Sequence, residues 1–261
     1  MLELARTVGD DERHHAVQHY KTHGYAYLPR VFAPAALAAL QQRSDDLMLG
    51  RVMYEGLFYQ HDTTTGRYED LTYGQGWQGP SLNYRKIEKL ELDPLFLELI
   101  RCPAFERIAR AVIDGPIAIY RAALMSKAAN GGTVLPWHQD GGVLWGLSRD
   151  PELQLWLALD DAPVEAGCVE FVDGTHHAGL ATPLGGKIPD DVAARREAES
   201  RALPVPAAAG DVLLIHNYVW HRSGVNRTDC PRRAVTVCYM SAAITCLRKK
   251  RAPRQFLRAF D

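Results

Sequence analysis

The stretch LPWHQDGG, residues 135 to 142, places a histidine and a carboxylate two positions apart, a spacing that could bind a metal ion. On a β-strand, residues i and i+2 point to the same face, so His138 and Asp140 would aim at one point while Gln139 turned away. Such a pair is frequent in sequences and by itself is typical of a polar turn. A metal site therefore requires at least one further ligand from elsewhere in the chain.

His221 is the best candidate for that ligand, because it stands beyond a β-like run in GDVLLIHNYVWHRSG. A neighbouring antiparallel strand could bring it across from the His138 and Asp140 pair. Two histidines and one carboxylate on one face of an ion form the facial triad typical of non-heme Fe(II), with positions left open for a cosubstrate and O₂. Zinc with the same ligands would be suited to hydrolysis. The ligand types alone leave both metals open.

An anion-binding group beside the metal would separate these two possibilities. Arg232 lies eleven residues after His221, beyond the turn-like SGVNRTDCP, and could return along the next strand into the same cavity. Its planar fork of donors suits the distal carboxylate of 2-oxoglutarate. Ser223, on the face of His221 if the strand continues, could add a hydroxyl contact. Arg233 would point the opposite way and reach solvent.

The elements that must position these residues change in character near residue 116. Before it, AALAALQQRSDDLML and DPLFLELIRCPAFERIARAVID have helical spacing, and HGYAYLPRVF alternates like a short strand. After it come the β-like runs AIYRAALMS, LQLWLALDD, CVEFVDG, DVLLIHN and RAVTVCYMS, separated by Gly, Asn, Asp and Pro. Many short strands with few helices between them predict an all-β core of the jelly-roll kind with helices packed outside.

We expect a single domain, because 261 residues of which 47% are apolar or aromatic can bury one full core. We divide it into a helical front of about 1–115, a β core of about 116–246 and a basic C-terminal tail, 247–261. Two segments lack a clear period: 54–84 is rich in aromatic residues and glycine, and 185–209 looks like a helix-bearing insertion. Segments of this kind are either binding loops and lids or surface excursions.

Charge and cysteine content limit the partners and the compartment. Lys and Arg number 30 against 31 Asp and Glu, so no overall field favours nucleic acid or an anionic membrane, and we interpret the basic tail as solvated. The N-terminus lacks the apolar run of a signal peptide, and five cysteines without a CxxC pair fit free thiols. We expect a cytoplasmic protein that acts on a small molecule, with its oligomeric state left open.

Taken together, these motifs resemble those of the phytanoyl-CoA dioxygenase family of Fe(II)- and 2-oxoglutarate-dependent oxygenases. YKTHGYAYLPRVFAPAALAAL resembles the family's opening strand and helix, and LPWHQDGG its metal-binding HxD. LQLWLALDDAPVEAGCVEFVDGTHHAG resembles its W-x-A-L-D-D … G-C … P-G-S-H stretch, and HRSGVNRTDCPRRA its H-x-S-x-x-N-x-S-x-x-x-R-R. Asp173, Thr175 and Thr228 depart from this pattern, but they occupy turn positions.

The resemblance implies a double-stranded β-helix, cupin-like, in which three residues bind the catalytic iron: His138, Asp140 and His221. It further implies that Arg232 holds the tail of 2-oxoglutarate, with Ser223 beside it. Trp156 would line the cosubstrate pocket, although plain core packing explains a tryptophan in an apolar strand almost as well. Relatives that halogenate lack the carboxylate of Asp140, so its presence favours hydroxylation or another oxidation by O₂.

The expected reaction is oxidation of a small metabolite, for which a bacterial natural-product pathway is one setting. Hydroxylation, desaturation, cyclisation and epimerisation are all compatible with the motifs, and no feature marks a coenzyme A thioester site. Two alternatives use the same residues differently. One is a cupin-like lyase or isomerase with a redox-inactive metal, and the other is a non-catalytic sensor of 2-oxoglutarate or a metabolite with 185–209 as its lid.

Overall fold

The computed structural model describes residues 2–249 and 253–261. This part of the chain contains thirteen β-strands and five α-helices. The helices are α1 (Asp10–His23), α2 (Pro34–Met48), α3 (Pro94–Ile100), α4 (Pro103–Arg110) and α5 (Asp190–Arg195). The strands are β1 (Tyr25–Leu28), β2 (Phe58–His61), β3 (Tyr84–Glu88), β4 (Ile117–Lys127), β5 (Leu135–Gln139), β6 (Leu153–Ala158), β7 (Val169–Val172), β8 (Gly186–Lys187), β9 (Ala202–Val205), β10 (Val212–His216), β11 (Trp220–Ser223), β12 (Arg232–Ser241) and β13 (Arg258–Phe260).

The strands form two antiparallel sheets. The larger sheet has the order β1-β10-β6-β12-β4-β3-β2, with β13 paired to β4. The smaller sheet has the order β8-β5-β11-β7-β9. Strands that are distant in sequence lie side by side in both sheets, as in a jelly roll. The predicted double-stranded β-helix with helices outside is confirmed, and all five β-like runs of the core are strands.

Strict alternation along the central strands of the larger sheet gives that sheet two buried faces. On β6, Leu153, Leu155 and Leu157 are fully buried in the cluster that includes the apolar side chains of α1 to α4. Trp156 points the other way and packs with Phe171 of the smaller sheet. Because successive residues of a strand face opposite sides, one face of the larger sheet is covered by helices and the other lines the space between the sheets.

The front of the chain contributes strands as well as helices. β1, β2 and β3 all join the larger sheet, so the segment before residue 116 forms part of the β core in addition to covering it. The stretch DPLFLELIRCPAFERIARAVID, which has helical spacing in the sequence, forms two helices, α3 and α4. Pro103 lacks an N–H and keeps Cys102 extended at ψ 147°, which ends one helix and begins the next. The domain boundaries remain a prediction.

The irregular segments and the tail are more ordered than the sequence suggested. Segment 54–84 includes β2 and a 3₁₀ turn at 68–70, and 185–209 holds β8, α5 and β9. In the basic tail, β13 pairs with β4 and Arg254 lies over the Tyr120 ring at 5.2 Å, so the described part of 247–261 is not simply solvated. Residues 250–252 of that tail lie outside the described residues.

Two further features are the state of the cysteines and the character of the helices. All five cysteines are free thiols, and three are buried; Cys230 is exposed and Cys246 is half-buried. Among the helices within 2–249 and 253–261, none combines the length and the apolar character required to cross a membrane.

Candidate metal centre

His138 and His221 are direct cross-strand partners on β5 and β11, at the centre of the smaller sheet. Their imidazole centroids lie 3.9 Å apart. Asp140 follows β5 immediately, and the ligand atoms of all three residues lie within 4.8 Å of one another. This is the one group of three such side chains in the described residues that could enclose a metal ion. The structure therefore brings together the three residues that the sequence singled out.

Hydrogen bonds to the backbone orient both imidazoles. The Nδ1 atom of His138 lies 2.9 Å from the carbonyl oxygen of Pro136, and that of His221 lies 2.9 Å from the carbonyl oxygen of Val219. A carbonyl only accepts, so each Nδ1 carries the proton and donates it. Each Nε2 is then left with a free lone pair, the arrangement found in metal-binding histidines.

Protonation states at the centre suit a divalent cation. Burial lowers the pKa of His138 to about 3, helped by the neighbouring His221. Burial alone would raise the pKa of Asp140, but Arg121 and the two histidines outweigh it and lower the value to about 2. Gln154 also donates to Oδ2 of Asp140 from Nε2 at 2.7 Å. Neutral imidazole and ionised carboxylate are the forms that bind metal, so the donor set fits the implied iron.

Arg232 lines the same cavity from β12 and is almost completely buried. Its guanidinium carbon lies 5.8 Å from the centre of the Trp156 ring, and Nη2 donates to the carbonyl oxygen of Gly167 at 3.2 Å. Its Nε is buried and has no partner in the described residues. Burial lowers the pKa of Arg232 to about 10, so the side chain remains charged at neutral pH. A buried cation with an unused donor indicates an anionic ligand.

Arg233 does not reach solvent as the sequence predicted. It points away from Arg232, but α2 covers that face of the larger sheet. Its Nε donates to Asp160 at 2.8 Å and its Nη1 to Asp45 of α2 at 2.6 Å. The two adjacent arginines therefore lie in different environments, one facing a cavity and the other holding a helix against the sheet.

Ser223 and Trp156 both line the cavity and are buried. Ser223 shares the inner face of β11 with His221, as the two-residue spacing predicted. Trp156 also belongs to the apolar cluster between the sheets, where it packs near Phe171. Core packing and pocket lining are therefore both true of this tryptophan.

Eight polar side chains of the cavity were missed from sequence: Arg85, Arg121, Ser126, Lys127, Thr133, Gln154, Arg222 and Thr236. Arg121 and Lys127 both belong to β4, and the signal was present in RAALMSK, where the even, six-residue spacing puts two basic residues on one face of an apolar strand. Lys127 is the cross-strand partner of Arg232, and its Nζ donates to the carbonyl oxygen of Thr133 at 2.6 Å. Burial, then Arg232 and Arg85, lower the pKa of Lys127 well below its usual value.

Lys86 also lines the cavity, and it forms an ion pair with Glu88 at 2.9 Å. From segment 54–84, Tyr68 and Tyr73 border the cavity, which encloses about 180 Å³. Of the aromatic residues in that segment, Tyr59 and Tyr84 are buried in the core instead. One part of the segment, around Tyr68 and Tyr73, therefore forms a roof over the cavity, and another part packs into the core.

Segment 185–209 approaches the centre through β8 alone. Lys187 pairs with His138 in register and contacts Glu69 at 3.1 Å, which connects β8 to the roof segment. The remainder of the segment, with α5 and β9, is absent from the lining of this cavity.

Comparison with known proteins gives one family. The model of the phytanoyl-CoA dioxygenase (PhyH) family matches residues 20–234. Phytanoyl-CoA dioxygenase domain-containing protein 1 of Mus musculus is 30% identical over 162 residues, which cover 59% of this chain and 55% of that protein. The L-proline trans-4-hydroxylase of Streptomyces griseoviridis is 27% identical over 168 residues, covering 56% of this chain and 62% of the relative. The matches thus span little more than half the length of these relatives.

Among solved structures, the non-heme alpha ketoglutarate dependent carbocyclase SnoK from nogalamycin biosynthesis superposes with a TM-score of 0.71. The identity is 21%, and the match covers 99% of this chain and 96% of that one. At this identity the likeness shows the fold.

Proposed function

Since the chain belongs to the phytanoyl-CoA dioxygenase family, we propose that it is an Fe(II)- and 2-oxoglutarate-dependent oxygenase that oxidises a small molecule, in the cytoplasm. The observation that carries the proposal is one cavity with a His-Asp-His triad on the smaller sheet and the unused donor of Arg232 on the larger. A zinc hydrolase would need no separate anion site for a cosubstrate.

His138, Asp140 and His221 would hold the iron through the two Nε2 atoms and a carboxylate oxygen. Bound Fe(II) supplies, with 2-oxoglutarate and O₂, the oxidising power to attack an unactivated C–H bond. The contribution of the chain is placement, because a facial set of three ligands leaves the remaining positions open for cosubstrate and O₂.

Arg232 orients the cosubstrate. Its guanidinium can donate two parallel hydrogen bonds to the distal carboxylate of 2-oxoglutarate. The Ser223 hydroxyl adds a donor on the neighbouring sheet, and Trp156 lies under the guanidinium and limits where it can move. The carboxylate would then offset the charge of Arg232 and favour the protonated form of its neighbour Lys127.

Gln154 fixes the orientation of the Asp140 carboxylate by its 2.7 Å hydrogen bond. Tyr68 and Tyr73 close the cavity from above and limit the entry of water, which protects the reacting centre from unproductive oxidation. The substrate would enter beside them, and the cavity walls decide which hydrogen faces the metal.

Hydroxylation of a small metabolite is the simplest outcome. One relative is an L-proline trans-4-hydroxylase, and a structural neighbour is a carbocyclase of nogalamycin biosynthesis. We propose that the substrate is likewise a small metabolite. The position of its C–H bonds relative to the metal would decide between hydroxylation, desaturation, ring closure and epimerisation. The carboxylate of Asp140 favours these reactions over halogenation.

Anaerobic addition of Fe(II) and 2-oxoglutarate tests the proposal. We expect a weak visible charge-transfer band that His138→Ala and His221→Ala abolish, and that the exposed-site control His177→Ala retains. Succinate formation with a metabolite panel in air then tests turnover. Turnover without O₂ would favour a lyase or isomerase, and bound but never consumed 2-oxoglutarate would favour a sensor. Absence of the band in the wild-type protein would refute the assignment.

A further inference from the structure

Arg121 of β4 has a charged side chain without a hydrogen bond to any described residue. Its Nε is buried and unpartnered, and its side chain is 22% exposed. The nearest acidic atoms are Oδ2 of Asp140 at 3.6 Å from Nη2 and Oε1 of Glu88 at 3.7 Å from Nη1, both beyond ordinary hydrogen-bond length. Its guanidinium carbon lies 5.3 Å from the centre of the Trp145 ring. An ionic group left so incompletely satisfied is expected where a ligand completes it.

The charges around Arg121 do not balance once a metal is bound. Glu88 lies closer to Lys86, at 2.9 Å, than to Arg121. Asp140 belongs to the metal triad, where its charge is offset by the cation. Lys86 and Arg121 then share one carboxylate, so the group retains one positive charge. This surplus matches a singly charged anion better than a doubly charged one.

The position of Arg121 separates it from the proposed cosubstrate site. Lys127 is the cross-strand partner of Arg232, and Arg121 lies six residues before it on β4. At about 3.3 Å per residue, this places the two Cα atoms about 20 Å apart on the same face of the strand. Both residues line one cavity, with the metal triad between the sheets. Two buried Nε atoms without partners, on Arg121 and Arg232, therefore mark two different anion sites.

We infer that Arg121 binds a carboxylate of the substrate, so that the substrate is a small organic acid held beside the metal while Arg232 holds the cosubstrate. This inference rests on the proposed function. A guanidinium offers two parallel donors to a carboxylate, and the Trp145 ring keeps its plane in place. Binding through Arg121 brings the carbon atoms near the carboxylate close to Asp140.

The test uses full-length protein loaded with Fe(II) and 2-oxoglutarate without O₂, and a panel of small organic and amino acids, each paired with its primary amide. Binding is measured by thermal shift and then by calorimetry. We expect at least one acid to bind about tenfold or more tightly than its amide, as the loss of a charge-assisted hydrogen bond implies. Arg121→Gln should remove this preference and still bind 2-oxoglutarate, which is measured in parallel because Arg121 also neighbours the metal ligand Asp140.

Two further variants make the test specific. Arg121→Lys keeps the charge without the planar fork, so it should retain part of the preference; it also provides the measurement if Arg121→Gln does not fold. Arg222→Gln is the matched control, because this cavity-lining arginine is already paired with Glu170 at 2.9 Å and contacts Glu199. We expect the control to retain the full preference for the acid.

Several results would overturn the inference. Acid binding that survives in Arg121→Gln, or a panel in which no acid binds more tightly than its amide, would each do so. Weakened 2-oxoglutarate binding with unchanged acid binding would assign Arg121 to the cosubstrate instead. A preference for phosphate or sulfate esters over carboxylates would change the substrate class. Failure of the proposed function is seen separately, as absence of 2-oxoglutarate binding in the wild-type protein.

Discussion

Lys127 and Arg232 face each other as cross-strand partners on β4 and β12, so two basic side chains are buried side by side. Each donates one hydrogen bond to a neutral carbonyl, from Thr133 and Gly167 respectively. Among the described residues neither forms an ion pair. Burying two basic groups without a counter-ion lowers the stability of the cosubstrate-free protein, and an entering carboxylate removes this penalty.

Lys127→Met should raise stability and weaken cosubstrate binding. The pKa of Lys127 is lowered first by burial and then by Arg232 and Arg85. A lowered lysine pKa means that the folded state holds fewer protons than the unfolded state, so the variant should be more stable on the acidic side of the usual lysine pKa. An entering carboxylate favours the charged form. Calorimetry in buffers of different ionisation enthalpy should show proton uptake on 2-oxoglutarate binding to wild type and less uptake in the variant. Equal uptake would contradict this role.

Gln154→Leu should loosen the metal without unfolding the protein. The loss of the 2.7 Å hydrogen bond to Asp140 frees that carboxylate to rotate, and removal of such outer contacts typically lowers metal affinity by about 10- to 100-fold. Competition with a chelator measures this. Gln139→Leu is the control: Gln139 is buried but bonds to Gly179 and Tyr218, away from the metal. It should lower the free energy of unfolding and leave metal affinity intact.

Substitution of the two adjacent arginines should affect different properties: Arg232 the binding of cosubstrate, and Arg233 the stability of the fold. Arg232→Met removes donors to the cosubstrate and should weaken 2-oxoglutarate binding by about 3 kcal/mol, roughly a hundredfold. Arg233→Met breaks contacts to Asp160 and Asp45 and should lower the free energy of unfolding by about 3–5 kcal/mol. Calorimetry and chemical denaturation of both variants check this. The reverse pattern would mean that the outer arginine serves the site.

Acid should destabilise the metal-free protein through buried neutral histidines. Burial lowers the pKa of His138 to about 3, and burial, then His176 and His177, lower that of His216 to about 4. These side chains are neutral in the folded state and protonated in the unfolded state below about pH 6.5. Stability should therefore fall between about pH 6.5 and pH 4, by up to about 1.4 kcal/mol per pH unit for each group. Chemical denaturation should show a shallower slope for His216→Asn. An equal slope in both proteins would exclude His216 as a source.

The sequence predicted the jelly-roll core and the grouping of His138, Asp140 and His221 because these depend on local pattern. Alternation identifies a strand, and the i, i+2 rule places two side chains on one face. Arg232 was separated from Arg233 by the same rule. What failed depended on neighbours: Arg233 was expected in solvent because nothing in the local sequence says that α2 covers that face.

Lys127 and Arg121 were missed for a related reason. Strand polarity shows which residues share a face, but the space between two sheets decides whether a charged side chain meets a partner, water or a cavity. The helical spacing over 93–114 did not show where the helix is interrupted, although the signal was local: Pro103 was present in the sequence and its effect on Cys102 is steric.

β4 pairs with β12 along nearly its whole length and with β3 at residues 123–125, and this antiparallel pairing prevents it from sliding or changing length. Arg121 and Lys127 are therefore held at a constant separation. A family member with this strand cannot accommodate a longer acid by moving either cation. Differences in the substrates accepted by such enzymes would have to arise in the roof around Tyr68 and Tyr73 and in the loop after β5, where insertions leave the paired strands undisturbed.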